Sequence, residues 1–240
     1  MLIVRVIIPA GGRGSRLSPI TDTRPKGLVS IRGTPILGRT LALLSEAGIA
    51  DVILVSGYLA EMLESTLMRL SRRPQLTFVR NDMYGDTNSL FGISLSRAWW
   101  NDDFCIIDSD VLFTRALLSR LLSCPAGHNW MVIDSTRDPD EIDMRVQLRD
   151  QRVWHLDKRI PAASTNGEFF GLSRWSVNGG RALSQAIDRA LATGSTNDWY
   201  EFAIREVAKT TEIRPLFTDS SQWLEIDTPR DLAFAEAHWE

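Results

Sequence analysis

Short apolar runs alternate with helical patterns through the first half of the chain, and this alternation limits the folds open to it. Four runs are almost continuously apolar, as parallel strands covered on both faces tend to be. They cover residues 3–8, 51–55, 76–79 and 104–107. A helix is predicted between the first two, with Thr34 as N-cap, Pro35 in its first position and Gly48 after its end. Weaker helical patterns cover 59–70, 88–99 and 114–122. The alternation predicts a doubly wound α/β fold with a mostly parallel, Rossmann-like sheet.

The pattern changes after Pro125. Residues 144–149 and 152–157 alternate apolar and polar side chains around Asp150-Gln151, which predicts a β-hairpin. The remaining predicted elements are a strand at 167–172, helices at 176–192 and 198–208, strands at 212–217 and 222–226, and a helix from about 228. We therefore expect one domain over 1–240, with an α/β core at 1–124, an inserted β-rich lid at 125–175, and a C-terminal part at 176–240 that completes the core.

The composition is that of an ordinary globular protein, with 44% hydrophobic and 24% charged residues among 240. No apolar run reaches the roughly 18 residues that span a bilayer, and the opening MLIVRVII carries Arg5 and reads as a strand rather than a signal peptide. A cytoplasmic protein without membrane contact is expected. The net charge of −3 gives no general attraction for nucleic acid. Cys105 and Cys124 lack metal-ligand spacing.

A glycine loop follows the first strand directly. Gly11, Gly12 and Gly14 allow the backbone N–H groups to approach an anion closely. The same stretch carries four cations, Arg13, Arg16, Arg24 and Lys26, in an otherwise acidic chain. This predicts a binding site for a highly charged phosphate. A Walker A string is absent, and Leu17 stands where the dinucleotide fingerprint requires its last glycine, which argues against a nicotinamide-dependent oxidoreductase.

Carboxylates follow predicted strands at two places. Asp108 and Asp110 come at the end of the run at 104–107, where ligands bind in open α/β sheets. They share a strand face, so both could be ligands. Asp227 stands where a late strand gives way to a helix, as a metal ligand or as that helix's N-cap. Mg²⁺ is usually held by one or two carboxylates together with phosphate oxygens and water, so these acids are candidate ligands for a metal beside the predicted phosphate site.

The pattern Gly-Gly-x-Gly-x-Arg-Leu-x-Pro-x-Thr-x-x-x-Pro-Lys from Gly11 to Lys26 resembles the signature of nucleotidyltransferases that join a nucleoside triphosphate to a sugar phosphate or a small phosphate or phosphonate. The resemblance implies that Ala10, Gly11 and Gly12 read the base and that Arg16 and Lys26 hold the triphosphate. The other nucleotide-binding candidates in the loop are Arg13 and Gly14. In that family Mg²⁺ is held by acids at the positions of Asp110 and Asp227, and for this reason we rank Asp110 above Asp108. Pro9 departs from the aliphatic residue that many members carry.

Looser similarities over most of the chain resemble the phosphocholine and phosphonate cytidylyltransferases. They lie at 81–89, at Lys158 after the hairpin and at 167–171. They imply CTP as donor, with nucleotide binding by the core at 1–124 and acceptor binding by the lid at 125–175. They also imply Asn88 near the nucleotide and Lys158 on a phosphate, although a solvated hairpin end would explain Lys158 as well.

An acceptor with an ammonium group would need an aromatic and acidic surface. The candidates are Trp199, Tyr200 and Trp223 as the aromatic part, with Glu168 and Glu201 as counter-charges. Choline phosphate, an aminoethylphosphonate and a sugar phosphate stay open as acceptors. The alternatives are a sugar-1-phosphate nucleotidyltransferase that uses UTP, GTP or dTTP, and a catalytically silent nucleotide sensor. A homo-oligomer is also open.

Overall fold

The computed structural model describes residues 4–136 and 143–239. Its strands are β1 Arg5–Ala10, β2 Ser30–Ile31, β3 Thr34–Pro35, β4 Asp51–Ser56, β5 Gln75–Arg80, β6 Phe104–Ile107, β7 Val111–Phe113, β8 Asn129–Asp134, β9 Met144–Arg149, β10 Arg152–Leu156, β11 Gly167–Trp175, β12 Ile213–Thr218 and β13 Trp223–Glu225. Its α-helices are α1 Ile36–Glu46, α2 Ala60–Met68, α3 Ser89–Ser94, α4 Arg115–Ser123, α5 Val177–Ala192, α6 Glu201–Ala208 and α7 Pro229–His238.

Nine strands form one mixed sheet. Seven follow the order β10, β9, β11, β6, β1, β4, β5, while β8 pairs with β11 and with β12. The strands β6, β1, β4 and β5 are mutually parallel, which confirms the parallel core predicted from the four apolar runs. Their carboxyl ends lie along one edge of the sheet, and loops that bear ligand-binding residues collect at such an edge.

Helices cover both faces of this core, as the near-continuous apolar strands require. Along β1 the side chains alternate: Val6 and Ile8 pack in a cluster with Leu37 and Leu41 of α1. Ile7 points to the opposite face and packs in a cluster with Leu183 of α5. The sheet is thus buried between two layers of helices.

The predicted hairpin is present as β9 and β10. Asp150 and Gln151 connect the two strands with φ values of 50° and 58°, the left-handed conformation that a tight two-residue hairpin turn needs. The hairpin belongs to the main sheet, because β9 pairs with β11 and β11 in turn pairs with β6. The β-rich part after residue 125 therefore extends the core sheet along its antiparallel side instead of forming a separate lobe.

Two boundaries differ from the sequence predictions. The helix α1 begins at Ile36 with Pro35 as its N-cap, and Thr34 lies in β3, so the prediction of Thr34 as N-cap is wrong by one position. The helix predicted at 88–99 is shorter, since α3 ends at Ser94 and a separate 3-10 helix covers Arg97–Trp99. Among the described residues, no helix has the length and apolar character needed to cross a membrane.

Candidate active site

A cleft of about 290 Å³ opens at the carboxyl ends of the parallel strands. One wall is the glycine loop after β1, where Ala10, Gly11, Gly12 and Gly14 line the cleft as predicted. Gly14 has φ 63°, and a Cβ built there would lie 3.0 Å from Cβ of Lys26. The glycine therefore supplies both the left-handed turn and the space that lets the Lys26 side chain pass beside the loop.

Hydrogen bonds from two side chains fix the rest of this loop. The Tyr58 hydroxyl, which follows β4, donates to the carbonyl oxygens of Thr21 and Asp22 at 3.0 and 2.9 Å. The Thr21 hydroxyl donates to the Gly14 carbonyl oxygen at 2.8 Å. Tyr58 is buried, so these bonds tie the 3-10 helix Ile20–Asp22 of the loop to the end of β4.

Replacing Tyr58 by phenylalanine should loosen the glycine loop. We expect a loss of about 1–2 kcal/mol in the free energy of unfolding, because the carbonyl oxygens of buried Thr21 and exposed Asp22 lose their donor. The KM for the predicted nucleotide should rise more than the KM for the predicted acceptor, since the loop carries the residues predicted to bind the nucleotide. Urea unfolding and steady-state kinetics measure both effects. Tyr84→Phe is a matched control, because among the described residues the Tyr84 hydroxyl makes no hydrogen bond; an equal loss there would contradict the account.

Three carboxylates meet at the mouth of the cleft. Oxygen atoms of Asp110, Glu225 and Asp227 all lie within 4.8 Å of one another. The small sheet formed by β7 and β13 brings them together, because Val111 pairs with Glu225 and the Ile226 N–H donates to the Asp110 carbonyl oxygen at 3.0 Å. Residues far apart in the sequence thus become neighbours through one short antiparallel ladder.

Two cations neutralise this cluster. The Lys26 ammonium lies 2.6 Å from Oδ2 of Asp110 and also pairs with Asp227. The Arg16 guanidinium lies 2.7 Å from Oδ2 of Asp227. Burial opposes the charge of Lys26, but Asp110 and Asp227 outweigh it and raise the pKa of Lys26 above its usual value. Burial also pushes the pKa of Asp227 upward, but Lys26 and Arg16 outweigh it and leave that pKa below its usual value.

This donor set fits Mg²⁺. The ion prefers oxygen ligands and is commonly held by a few carboxylates that leave room for phosphate oxygens and water. Asp110 and Asp227 are brought together as predicted, and their side chains are only partly exposed, at 21% and 11%. Asp227 is not the N-cap of α7, because Thr228 caps that helix in a capping box with Asp231. The Asp227 carboxylate therefore does not cap the helix and pairs instead with Lys26 and Arg16.

Glu225 was missed by the sequence analysis. Its signal was available, since residues two apart on a strand share a face and Glu225 precedes Asp227 by two positions. Burial raises the pKa of Glu225 well above its usual value, and Asp110 and Asp227 raise it further. The carboxylate cluster therefore has a third member that the sequence analysis did not name.

Asp108, considered as a second ligand, has a different partner. Its carboxylate accepts a hydrogen bond from the Tyr200 hydroxyl at 3.1 Å, and it is not in the carboxylate cluster. Gly171 has φ 93°, and a Cβ there would lie 2.4 Å from Oδ2 of Asp108. Burial raises the pKa of Asp108 well above its usual value, and Glu201 and Asp110 raise it further. Asp108 thus lies in the cleft beside Asp110 and is bound to Tyr200.

The opposite wall joins the start of α3 to the segment before α6. Asn88 is the N-cap of α3 and lines the cleft. Its N–H donates to the Thr196 carbonyl oxygen at 3.0 Å, and the Tyr200 N–H donates to the Ser89 hydroxyl at 3.0 Å. These bonds hold the predicted acceptor residues beside the predicted nucleotide residue.

Four of the predicted acceptor-binding residues do line the cleft: Lys158, Trp199, Tyr200 and Glu201. The Lys158 ammonium lies 4.3 Å from the centre of the Trp199 ring, and 40% of Trp199 is exposed. Burial raises the pKa of Glu201 to about 7. The cleft lining therefore includes an aromatic ring that already carries a cation on its face and a carboxylate two residues further along the chain, the two kinds of group that attract an ammonium ion.

Three predicted site residues lie elsewhere. Trp223 is buried, its ring stacks on Phe170 at 3.7 Å and its indole N–H donates to Asp134, so the prediction that it contacts the acceptor is wrong. Glu168 is also buried, on β11 opposite Asp134, and does not line the cleft. Both face the core because β11 and β13 are covered on their inner sides. Arg13 points away from the cleft lining and places its guanidinium 5.2 Å from the centre of the Tyr58 ring.

The cleft can be compared with known proteins. A sequence profile described as the MobA-like NTP transferase domain matches residues 6–170, which is more than half of the chain. The chain belongs to the MobA-like NTP transferase family. The nucleotidyltransferase resemblance predicted from the glycine loop is thereby confirmed, and the matched residues of this NTP transferase include the glycine loop, Asp110 and Lys158.

Two curated relatives of this NTP transferase are cytidine-nucleotide enzymes by name. Choline-phosphate cytidylyltransferase of Haemophilus influenzae is 38% identical over 175 residues, which are 73% of this chain and 64% of the relative. CMP-5'-(3-aminopropyl)phosphonate synthase of Streptomyces rubellomurinus is 34% identical over 122 residues, 51% of this chain and 19% of the relative. The matched segments therefore span less than two thirds of both relatives.

A solved structure supports the fold. CTP:phosphocholine cytidylyltransferase from Streptococcus pneumoniae superimposes with a TM-score of 0.81 at 23% identity, over 98% of this chain and 99% of that one. At this identity the likeness concerns the fold, and it confirms the predicted Rossmann-like α/β architecture of this NTP transferase.

Proposed function

We propose that this NTP transferase is a Mg²⁺-dependent cytidylyltransferase that transfers CMP from CTP to a small cationic phosphate or phosphonate, with release of pyrophosphate. The observation that carries the proposal is one cleft with two ends. At one end the glycine loop, Lys26 and Arg16 face a carboxylate cluster that fits a metal ion. At the other end Trp199 and Glu201 line the cleft and provide a ring and a carboxylate for an ammonium group.

The chain's own residues neutralise and position charge. Lys26 has three donors and gives two of them to Asp110 and Asp227, which leaves one for a phosphate oxygen. Arg16 keeps free N–H groups because it binds Asp227 through one of its nitrogens. Mg²⁺ held by Asp110, Asp227 and Glu225 would add positive charge beside the phosphates.

The reaction needs no general base. An oxygen of the acceptor's phosphate is already anionic at pH 7, and it attacks the α-phosphorus of CTP while the bond to the leaving pyrophosphate breaks. Catalysis by positioning and charge neutralisation is therefore sufficient. The names of the two curated relatives support cytidine as the base.

A cationic acceptor is favoured over a sugar phosphate by the charges at the acceptor end. Glu201 lines the cleft, and its Oε2 is buried without a hydrogen-bond partner among the described residues. A sugar would bring hydroxyl groups but no charge to this carboxylate, whereas choline phosphate or 2-aminoethylphosphonate would bring an ammonium group. A buried carboxylate gains most from the ligand that pairs its charge.

Pyrophosphate release from a panel of substrates tests the proposal. Each of CTP, UTP, GTP and dTTP is combined with phosphocholine, 2-aminoethylphosphonate and glucose 1-phosphate, with Mg²⁺ or with EDTA. We expect release with CTP, a cationic acceptor and Mg²⁺. Turnover with glucose 1-phosphate and another triphosphate would instead assign a sugar-1-phosphate nucleotidyltransferase. Nucleotide binding without turnover of any pair would assign a silent sensor.

The affinity for a cationic acceptor should rise with pH through about 7. Burial raises the pKa of Glu201 to about 7, so the carboxylate is mostly neutral at pH 6 and mostly ionised at pH 8, and the ionised form attracts the ammonium group. We expect the KM for phosphocholine to fall by about tenfold over this range. The comparison is Glu201→Gln, which should lose the part of the pH dependence due to this group. The same pH profile in both proteins would remove Glu201 from the acceptor site.

A further inference from the structure

The Lys158 side chain has an unusual environment for a cation in an anion-binding cleft. Within residues 4–136 and 143–239 its ammonium makes no hydrogen bond or ion pair, and its contact is the face of the Trp199 ring at 4.3 Å. Glu201, two residues after Trp199, adds a favourable electrostatic interaction with Lys158 at longer range. A cation over an indole ring beside a carboxylate is the arrangement that an acceptor's ammonium group would adopt.

The backbone that carries Lys158 is anchored, whereas its side chain is free to turn. The preceding residue, Asp157, is buried and binds Arg205 of α6 at 2.7 Å and Arg159 at 2.9 Å. The pair with Arg205 fixes the loop to α6, the helix that begins at Glu201. Lysine has a flexible four-carbon stem, so its ammonium can leave the ring without any movement of the loop.

We propose that Lys158 occupies the acceptor's ammonium position when the site is empty, and that a cationic acceptor displaces it from Trp199 towards the phosphates. This inference rests on the proposed function and deepens it. One ring face and one carboxylate hold one cation at a time. The acceptor's ammonium takes that place, while its phosphate offers Lys158 a stronger partner than the ring.

The displacement makes Lys158 a specificity-determining residue. A ligand with an ammonium group but no phosphate must remove Lys158 from the ring and offers it nothing in return. A ligand with both groups also removes Lys158 from the ring, but its phosphate then binds the Lys158 ammonium in the same cleft. The wild-type protein should therefore discriminate against free choline and related cations, which would otherwise compete for Trp199 and Glu201.

Calorimetric titration with tetramethylammonium tests this inference without nucleotide or turnover, at constant ionic strength. Lys158→Met should bind tetramethylammonium about fivefold more tightly than the wild type, since it leaves the ring face open. Lys158→Arg keeps a cation that stacks on the ring and should bind no more tightly than the wild type. For phosphocholine, Lys158→Met should show no such gain, because it also loses the contact with the phosphate.

Arg16→Gln is the control for a general effect of charge, because it removes a cation from the same cleft without touching Trp199. Equal gains in Lys158→Met and Arg16→Gln would overturn the inference, as would unchanged binding in Lys158→Met or no binding to any variant. These outcomes can be told apart from a failure of the proposed function. If the protein releases pyrophosphate with phosphocholine but Lys158→Met binds tetramethylammonium as the wild type does, the function is supported and the displacement is contradicted. A fivefold gain in tetramethylammonium affinity in Lys158→Met, without any pyrophosphate release, would support the displacement and contradict the proposed function.

Discussion

Lys26→Met is expected to lower kcat for CMP transfer by about 10²- to 10³-fold, the loss seen when a preorganised group that stabilises developing charge is removed. Lys26 is the cation that contacts both Asp110 and Asp227 and lies against the glycine loop through Gly14. The methionine side chain keeps most of the volume, so the change concerns charge. The KM values for both substrates should change less than kcat, because the charge matters most as pyrophosphate leaves.

Folding must be checked in the same variant. Removal of Lys26 leaves Asp110 and Asp227 without their shared ammonium, and the free energy of unfolding should fall by about 3–5 kcal/mol in the absence of metal. Circular dichroism and thermal unfolding with and without Mg²⁺ separate this effect from catalysis. Lys209→Met is a matched control, because Lys209 is exposed and pairs only with Glu206 of its own helix end among the described residues. A Lys26→Met protein that is folded and retains the wild-type kcat would contradict the proposed role.

Asp227→Asn should reduce activity by about 10²-fold or more and increase the Mg²⁺ concentration needed for half-maximal rate. The amide keeps the shape of the carboxylate but removes its charge, so a Mg²⁺ ion held there would lose a negatively charged ligand, and Lys26 and Arg16 lose the charge of their shared partner. The measurement is the initial rate of pyrophosphate release as a function of Mg²⁺ at saturating CTP.

Asp82→Asn serves as the control for this substitution. Asp82 is exposed and lies outside the cleft lining, so its loss should leave both the rate and the Mg²⁺ dependence as in the wild type. If Asp227→Asn had the Mg²⁺ dependence of the wild type, the carboxylate cluster would not be the metal site.

The parallel core was predictable because burial on both faces leaves a direct mark on the sequence. Ile7 and Ile8 must both be apolar when helices cover both sides of β1. The position of the hairpin was less predictable. Alternation identified β9 and β10, but their attachment to the main sheet depends on the pairing of β11 with two different neighbours, and long-range pairing of this kind has no local signature.

The candidate site also has a part that was predictable from the sequence and a part that was not. The glycine loop is continuous in sequence, so Gly11, Gly14, Arg16 and Lys26 could be assigned together. The acceptor end combines separate segments, and aromatic composition alone could not distinguish Trp199, which is exposed to the cleft, from Trp223, which fills the core against Phe170. Side-chain burial decides between such residues, and burial follows from tertiary packing.

Isotope tracing with ³¹P NMR tests the central claim most directly, using phosphocholine or 2-aminoethylphosphonate with ¹⁸O in its phosphorus-bound terminal oxygens, together with CTP and Mg²⁺. The account predicts one new diphosphate-type linkage per pyrophosphate, with ¹⁸O in the bridge of the product and none in the pyrophosphate. It also predicts that EDTA or Asp227→Asn suppresses both signals. Inorganic phosphate as the main product, ¹⁸O in the pyrophosphate, or an undiminished signal in EDTA would contradict it.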